Sequence, residues 1–328
     1  MSLIASIIWL IVSLALILIG ANALTDGSSA IAKRMGISDL IIGLTVVAFG
    51  TSTPELVISI VAAADGNPSI AVGNIVGSNI LNILLIIGLT ALVRPIFIKK
   101  SIMTNEIPML ILSSVILLVL GYSAALDGIA TPTVTRVNGI FLLIFFLLFM
   151  RYTFASAKSA PQSGEKDPAE ADGQRLGKFS TVKSAAFVIG GLAALIWGGD
   201  KFVDSASTLA RHIGMSEATI GLTIVAIGTS LPELATSIVA AVKGQSALAV
   251  GNVIGSNIFN VLLILGTASV VAPLPFAGVS LVDLWTLVGA SVLFLVFGWF
   301  FRTRCITRAE GAVMLACYLA YTAWLLIK

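Results

Sequence analysis

Apolar residues fall in ten runs separated by short polar breaks: 3–24, 40–64, 70–93, 104–123 and 136–152, then 183–204, 217–242, 248–272, 279–301 and 308–327. A helix of about 20 apolar residues crosses a hydrocarbon core of about 30 Å. Each run therefore predicts one membrane span. Between the fifth and sixth runs, Thr153 to Val182 is rich in Ser, Ala, Gly, Pro and mixed charge, the composition of a solvated linker. The pattern predicts an all-α polytopic membrane protein with ten transmembrane helices. Residues 1–152 form one five-helix unit, 153–182 a cytoplasmic linker and 183–328 a second five-helix unit. The first run has no basic n-region and no small-residue cleavage signature, so it reads as a permanent span.

Composition excludes a soluble protein. Hydrophobic residues make up 58% of the chain and charged residues 11%, against about 25% charged in a globular domain. The basic residues are strongly sided. Ten spans place 15 of the 19 Lys and Arg on the face of the 1–2, 3–4, 5–6, 7–8 and 9–10 connections. The positive-inside rule makes that face cytoplasmic and puts both termini outside. Cys305 and Cys317 are twelve apart, one near a membrane face and one in an apolar run, and are expected to be free thiols. His212, the single histidine, reads as a surface residue.

The chain repeats itself. A shift of 178 residues superposes Gly43–Gly88 on Gly221–Gly266 without a gap, with 30 identities in 46 positions. Upstream the match still pairs Asp26 with Asp204 and Gly36 with Gly214. Five spans per half is an odd number, so the second half enters the membrane in the opposite orientation. Two such halves form a pseudo-two-fold around a midplane site, an architecture of secondary transporters. Plain duplication would spread similarity over all five spans. Here it concentrates in two, which marks a constraint local to them.

The matched cores read Gly50-Thr51-Ser52-Thr53-Pro54-Glu55 and Gly228-Thr229-Ser230-Leu231-Pro232-Glu233. Each lies near the middle of its run, so Glu55 and Glu233 are carboxyl groups deep in the bilayer, where such residues are functional by default. Their bland alternative is a protonated acid joining helices, and the symmetric context argues against it. Pro54 and Pro232 lack an N–H, which releases the carbonyls of Gly50 and Gly228. Freed carbonyls at this depth must line a cavity or meet a ligand. Thr51, Ser52, Thr229 and Ser230 add hydroxyls on the same turns. The following spans carry Gly73-Asn74-Ile75-Val76-Gly77-Ser78-Asn79-Ile80-Leu81-Asn82 and Gly251-Asn252-Val253-Ile254-Gly255-Ser256-Asn257-Ile258-Phe259-Asn260. Gly73 and Gly77 have the spacing that lets helix backbones approach closely. Ser78 with Asn82, and Ser256 with Asn260, are four apart and share a helix face. Asn74, Asn79, Asn252 and Asn257 read either as polar lining or as packing glue. Two carboxylates, hydroxyls, amide oxygens and carbonyls, without a His or Cys cluster, suit a hard cation: Ca²⁺ takes six to eight oxygens. Two glutamates supply a charge of −2, which one divalent ion or more than one monovalent ion balances.

These motifs resemble the Ca²⁺/cation antiporter superfamily, in particular its prokaryotic Na⁺/Ca²⁺ exchanger branch. Its two repeats carry G-T-S-x-P-E followed by G-N-x-x-G-S-N, and both occur here twice, in order, on the second and third spans of each half. The resemblance covers the whole chain. It implies that Glu55 and Glu233 are the central Ca²⁺ ligands, shared with Na⁺. Thr51, Ser52, Thr229, Ser230, Ser78 and Ser256 would complete the Ca²⁺ and Na⁺ sites. The backbone carbonyls of Ala48 and Ala226 would bind Na⁺, and Asn82 and Asn260 would line the centre. Some relatives have Asp where this chain has Asn260, and in K⁺-dependent ones that acid is associated with K⁺; the amide here implies K⁺ independence. The first and sixth spans would slide as a gating pair. The linker, near 30 residues, is too short for the Ca²⁺-sensing domains of animal exchangers. The implied location is the prokaryotic inner membrane.

The reading that follows is a secondary antiporter, not an enzyme, exchanging Ca²⁺ for Na⁺ by alternating access. H⁺ in place of Na⁺, or another cation in place of Ca²⁺, remains open at this point. The expected partners are these ions and the lipid bilayer, with no resident cofactor, no nucleic acid and no protein partner inferred. A cation channel would need pore rings of rotational multiplicity, and a membrane hydrolase a nucleophile with base and orienting group. Neither pattern is visible in the sequence.

Overall fold

The computed structural model describes residues 3–128, 130–159, 180–212, 214, 226–300 and 304–327. The helices are α1 (Leu3–Met35), a broken α2 made of α2a (Asp39–Thr51) and α2b (Thr53–Ala64), α3 (Ile70–Val93), α4 (Ile102–Gly121) and α5 (Arg136–Ser159). The second half has α6 (Thr181–His212), α7a (Ala226–Thr229), α7b (Leu231–Val242), α8 (Ser246–Val271), α9 (Leu281–Phe300) and α10 (Arg308–Ile327). Residues 217–225 of the seventh run lie outside the described residues.

α1 and α6 overrun the predicted spans. With 33 and 32 residues, each is roughly 50 Å long at 1.5 Å per residue, well beyond what a core of about 30 Å requires. Thr25, Ser28 and Ser29 end the apolar run of α1 in sequence, yet all three are fully buried. They face protein, not lipid, and the helix continues through them. It stops at Gly36, whose φ of +66° is left-handed. Ile37 N–H there donates to Ala32 O at 3.0 Å, the Schellman closure of a helix end. α5 also continues to Ser159, into the stretch that the sequence assigns to the linker.

Packing reveals the inversion. α1 and α6 run antiparallel in backbone contact: a Cβ on Gly20 would come within 2.8 Å of Gly191 O, one on Gly27 within 2.8 Å of Ser184 O, and one on Gly198 within 3.2 Å of Ser13 O. Two short ladders tie the halves together. β1 (Ile96–Phe97) pairs antiparallel with β4 (Cys305–Ile306), and β2 (Thr133–Val134) with β3 (Leu274–Pro275). β1 and β3 are 178 residues apart, so the strand leaving α3 pairs with the one preceding α10, and the strand leaving α8 with the one preceding α5. Each ladder therefore joins one half to the other.

α3 and α8 occupy the centre; 94% of the most apolar window of α8 is buried. Side chains of α3, α4, α8 and α9 form one continuous apolar core around them. Lipid-facing residues are apolar too, as on α1, where Ile4 and Ile11 are 72% and 65% exposed. Among the described residues Cys305 and Cys317 form no disulfide, and His212 is exposed.

Candidate ion-binding site

Both motif segments break at the same place. α2 bends by 47° where Ser52 leaves helical geometry (φ −84°, ψ 8°). Ser230 does the same between α7a and α7b (φ −92°, ψ 8°). Pro54 and Pro232 fall in the first turn of the segment that follows, where the missing N–H has no intrahelical partner to lose. Glu55 and Glu233 occupy the same turns, at the positive end of the helix dipole, which favours a carboxylate. Further along, α3 and α8 widen into π-helical turns at Leu81–Ile86 and Asn260–Leu265. Such turns are frequent at functional sites.

The carboxyl groups are cross-linked between the halves. Ser52 Oγ donates to Glu233 Oε1 at 2.9 Å, and Ser230 Oγ donates to Glu55 Oε1 at 3.3 Å. Ser256 Oγ also reaches Glu233 Oε1, at 3.4 Å. Both glutamates are 1% exposed. The Oε2 atom of each is buried with no hydrogen-bond partner. Burying such an acceptor unpaired is unfavourable by about 1–3 kcal/mol or more, which makes these two oxygens candidate ion ligands.

A belt of amides continues the pattern. Asn82 Nδ2 donates to Asn257 Oδ1 at 3.2 Å, Asn260 Nδ2 to Asn79 Oδ1 at 2.9 Å and Asn79 Nδ2 to Asn257 O at 3.3 Å. This leaves Asn82 Oδ1 and Asn260 Oδ1 buried without partners. Two carboxylate oxygens and two amide oxygens are thus unpaired at positions related by the repeat. Among the described residues no three His, Cys, Asp or Glu side chains are placed to hold a metal ion together. Further ligands must come from hydroxyls, amides or carbonyls.

The remaining predicted residues assemble on the same segments. Thr51 Oγ1 donates to Asn252 Oδ1 at 3.2 Å and lies 3.4 Å from Ala48 O, which also accepts from Ser52 N–H at 3.0 Å. Ser78 and Ser256 are buried, Thr229 is half-buried, and Ala226 begins α7a. Asn74 and Asn252 have an equivalent structural role in their halves: Asn74 Nδ2 donates to Ser59 Oγ and Asn252 Nδ2 to Ser237 Oγ, each pair being counterparts at 178 residues. The close backbone approach is seen at Gly251 and Gly255, where a Cβ would meet Leu40 O at 2.6 Å and Ala48 Cβ at 2.7 Å. For Gly73 and Gly77 the equivalent neighbours fall mainly in 218–225, outside the described residues.

The two sides of the site differ. α1 lies against α7b, and Lys243 Nζ at the end of α7b binds Asp26 Oδ1 of α1 at 2.6 Å and Asn22 O at 3.3 Å. Their counterparts, α6 and α2b, stand apart across a cavity of about 510 Å³. Thr53, Pro54, Gly228, Thr229 and Pro232 line it, next in sequence to both glutamates or to the hydroxyls around them. Sequence reasoning missed Asp26, Lys243 and Asp200, another cavity-lining residue. The available signals were an acid inside the sixth apolar run at Asp200 and, for Asp26, its pairing with Asp204 in the repeat.

The family model for sodium/calcium exchanger proteins matches residues 5–155 and 183–327, leaving out only the linker and the extreme ends. The chain belongs to the sodium/calcium exchanger family. It is 40% identical over 266 residues to the inner membrane protein YrbG of Escherichia coli strain K12, covering 80% of this chain and 79% of that one. To the sodium/calcium exchanger MaX1 of Methanosarcina acetivorans it is 30% identical, over 95% of this chain and 96% of that one. A solved structure of the sodium-calcium exchanger NCX_Mj superposes with a TM-score of 0.83 at 31% identity, covering 98% of this chain and 99% of the other. This exchanger-family protein is therefore a multi-pass membrane transporter of cations with the ten-span inverted-repeat fold, and not an enzyme.

Proposed function

We propose that this exchanger moves Ca²⁺ against Na⁺ by alternating access at the site between α2, α3, α7 and α8. The observation that carries the reading is the pair of buried glutamates, each held by a serine of the opposite half and each with an unpaired oxygen. Glu55 and Glu233 supply −2, matched by one Ca²⁺. Thr51, Ser52, Thr229, Ser230, Ser78 and Ser256 offer hydroxyls, Ala48 and Ala226 carbonyls, and Asn82 and Asn260 amide oxygens. Together they exceed the six to eight oxygens that Ca²⁺ takes, so Na⁺ ions can use overlapping subsets. Ions that share ligands exclude one another, and exclusion converts two binding reactions into exchange. MaX1 and NCX_Mj, both named as sodium/calcium exchangers, support Na⁺ as the counter-ion.

A bound ion would draw Ser52 and Ser230 off the carboxylates and onto itself, changing the links between the halves as the site fills. α1 and α6, packed on each other through small residues, are suited to slide as a pair. In this reading 1–152 and 183–328 are the two inverted five-helix repeats and 153–182 their cytoplasmic linker. In the same reading both termini lie outside a prokaryotic inner membrane and the α6–α2b cavity faces outward, an orientation that the split of basic residues supports.

The test is ⁴⁵Ca²⁺ uptake into proteoliposomes against an imposed Na⁺ gradient, an imposed H⁺ gradient, or neither. Uptake driven by Na⁺ alone is the expected result. Uptake driven by H⁺ alone assigns the proton as counter-ion, and uptake with no counter-gradient at a clamped potential makes the protein a channel.

A further inference from the structure

We infer that Asp200 recruits cations into the open cavity and sets their apparent affinity from that face only; this rests on the cation-exchange reading above. Of the thirteen described residues lining the cavity, Asp200 is the single charged one. Its neighbours on the wall are mostly apolar, with Trp197 and Val57 among them. A charge on a low-dielectric wall projects its field into the water beside it, raising the local concentration of counter-ions and their on-rates by about 10-fold or more. The same cavity is lined by Thr229, an oxygen proposed for the ion site, and by Pro54 and Pro232, each one residue before a glutamate. An ion attracted to Asp200 therefore already stands on the path to Glu55 and Glu233.

Nearby charges do not cancel this field. Lys201 pairs more closely with Asp204, at 3.1 Å, than with Asp200, at 3.6 Å, and neither Lys201 nor Asp204 lines the cavity. Asp200, Lys201 and Asp204 together carry a net charge of −1. The Asp200 carboxylate is 66% exposed, so it is hydrated and offers attraction, not a dehydrated ligand. Its repeat counterpart is Asn22, a neutral amide whose Nδ2 is engaged by Leu18 O at 2.8 Å. The approach through the other half therefore lacks this acid, and the two faces should differ in how strongly they gather cations.

The experiment uses the full-length protein with Cys305 and Cys317 replaced by serine and Val57→Cys placed in the cavity wall. Rates of modification by a cationic and an anionic methanethiosulfonate reagent of similar size are compared, with and without Asp200→Asn. The ratio of cationic to anionic rates should fall about threefold to tenfold in the Asn variant at low salt, and the difference should shrink at high salt. This readout requires no transport, so it holds whichever counter-ion drives exchange. In proteoliposomes of fixed orientation, Asp200→Asn should raise the KM for Ca²⁺ offered at the cavity face by a similar factor. Most of the change should lie in KM, with the KM at the opposite face unaltered. An unchanged reagent ratio, or equal KM shifts at both faces, overturns the proposal. Wild-type protein that shows the reagent effect but no Na⁺-driven Ca²⁺ flux would instead overturn the Na⁺/Ca²⁺ assignment.

Discussion

The contact of α1 with α7b and the gap between α6 and α2b are the same pair of elements under the repeat, in opposite states. On the first side Lys243 clamps Asp26 at 2.6 Å, with about a fifth of each side chain exposed. On the second side the counterparts are Asp204 and Asp65, two acids. The ion pair thus stabilises closure on one face, while the same positions on the other face would bring like charges toward each other. Two halves with near-identical cores can still prefer one orientation, because the bias is built outside the core. The core must serve both states equally, and its identities show that. The periphery is where an inverted pair can be made unequal.

The largest effect should come from breaking the part that the two halves share. Glu55→Gln and Glu233→Gln each keep the shape of the side chain and remove a charge. Leaving one buried carboxylate to balance a divalent ion alone should weaken Ca²⁺ binding by about 3 kcal/mol, on the order of 100-fold. Na⁺-driven ⁴⁵Ca²⁺ flux should disappear in both variants while the protein remains folded in the membrane. Flux retained in either one removes that glutamate from the site.

Asn260 tests whether the site tolerates unequal halves. As a neutral amide with an unpaired Oδ1, it leaves the site at −2 and offers no charge for a co-transported K⁺. Wild-type exchange should therefore be unaffected when K⁺ is replaced by choline at fixed potential. Asn260→Asp would add a third negative charge beside two others, and exchange should slow by about tenfold. Added K⁺ or a lower pH should restore part of the rate by neutralising that charge. A wild type that requires K⁺ places K⁺ elsewhere.

Lys243→Glu attacks the asymmetry itself by replacing attraction to Asp26 with repulsion. A partly buried pair of this kind is worth about 1 kcal/mol, so the population of the present state should fall about fivefold. The cysteine at Val57 in the cavity should become correspondingly harder to modify. Adding Asp26→Lys to Lys243→Glu should restore accessibility, since the pair is then re-formed with its charges exchanged. Unchanged accessibility in the single variant would mean that apolar packing of α1 on α7b sets the preference.

The legibility of the molecule in its sequence follows the physics of each part. Span number, the inverted repeat and the two breaks at the buried glutamates were readable, because burying a carboxylate or breaking a helix in lipid demands residues as distinctive as Glu55 and Pro54. The ends of α1 and α6 were not, since Ser28 and Ser29 look like a membrane exit until α6 and α2 are known to cover them. The Asn79–Asn260 and Asn82–Asn257 bonds were hidden for a related reason: amide side chains look alike in sequence whether they bind a ligand, another helix or water. Asp26–Lys243 joins residues 217 apart that resemble ordinary charges near span ends. Only the fold puts them together.

The smallest effect, and the sharpest test of equivalence, lies in Ser52 and Ser230. Both hydroxyls donate to a glutamate of the other half, but unequally: Ser52 reaches Glu233 at 2.9 Å and Ser230 reaches Glu55 at 3.3 Å. If each becomes an ion ligand, substitution by alanine removes a similar interaction from the bound state. From the empty state it removes a stronger one in Ser52→Ala than in Ser230→Ala. Affinity is the difference between those states, so the loss at Ser52 is partly offset and the loss at Ser230 is not. With a hydrogen bond worth about 1 kcal/mol, Ser230→Ala should raise the KM for Ca²⁺ about threefold to fivefold, and Ser52→Ala by less. Thermal unfolding of the ion-free protein should show the reverse order, with Ser52→Ala the less stable variant. Equal shifts in both measurements would mean that the two halves hold their empty carboxylates alike. A larger KM for Ser52→Ala than for Ser230→Ala would mean that Ser52 is the stronger ion ligand, with the inequality residing in the bound state.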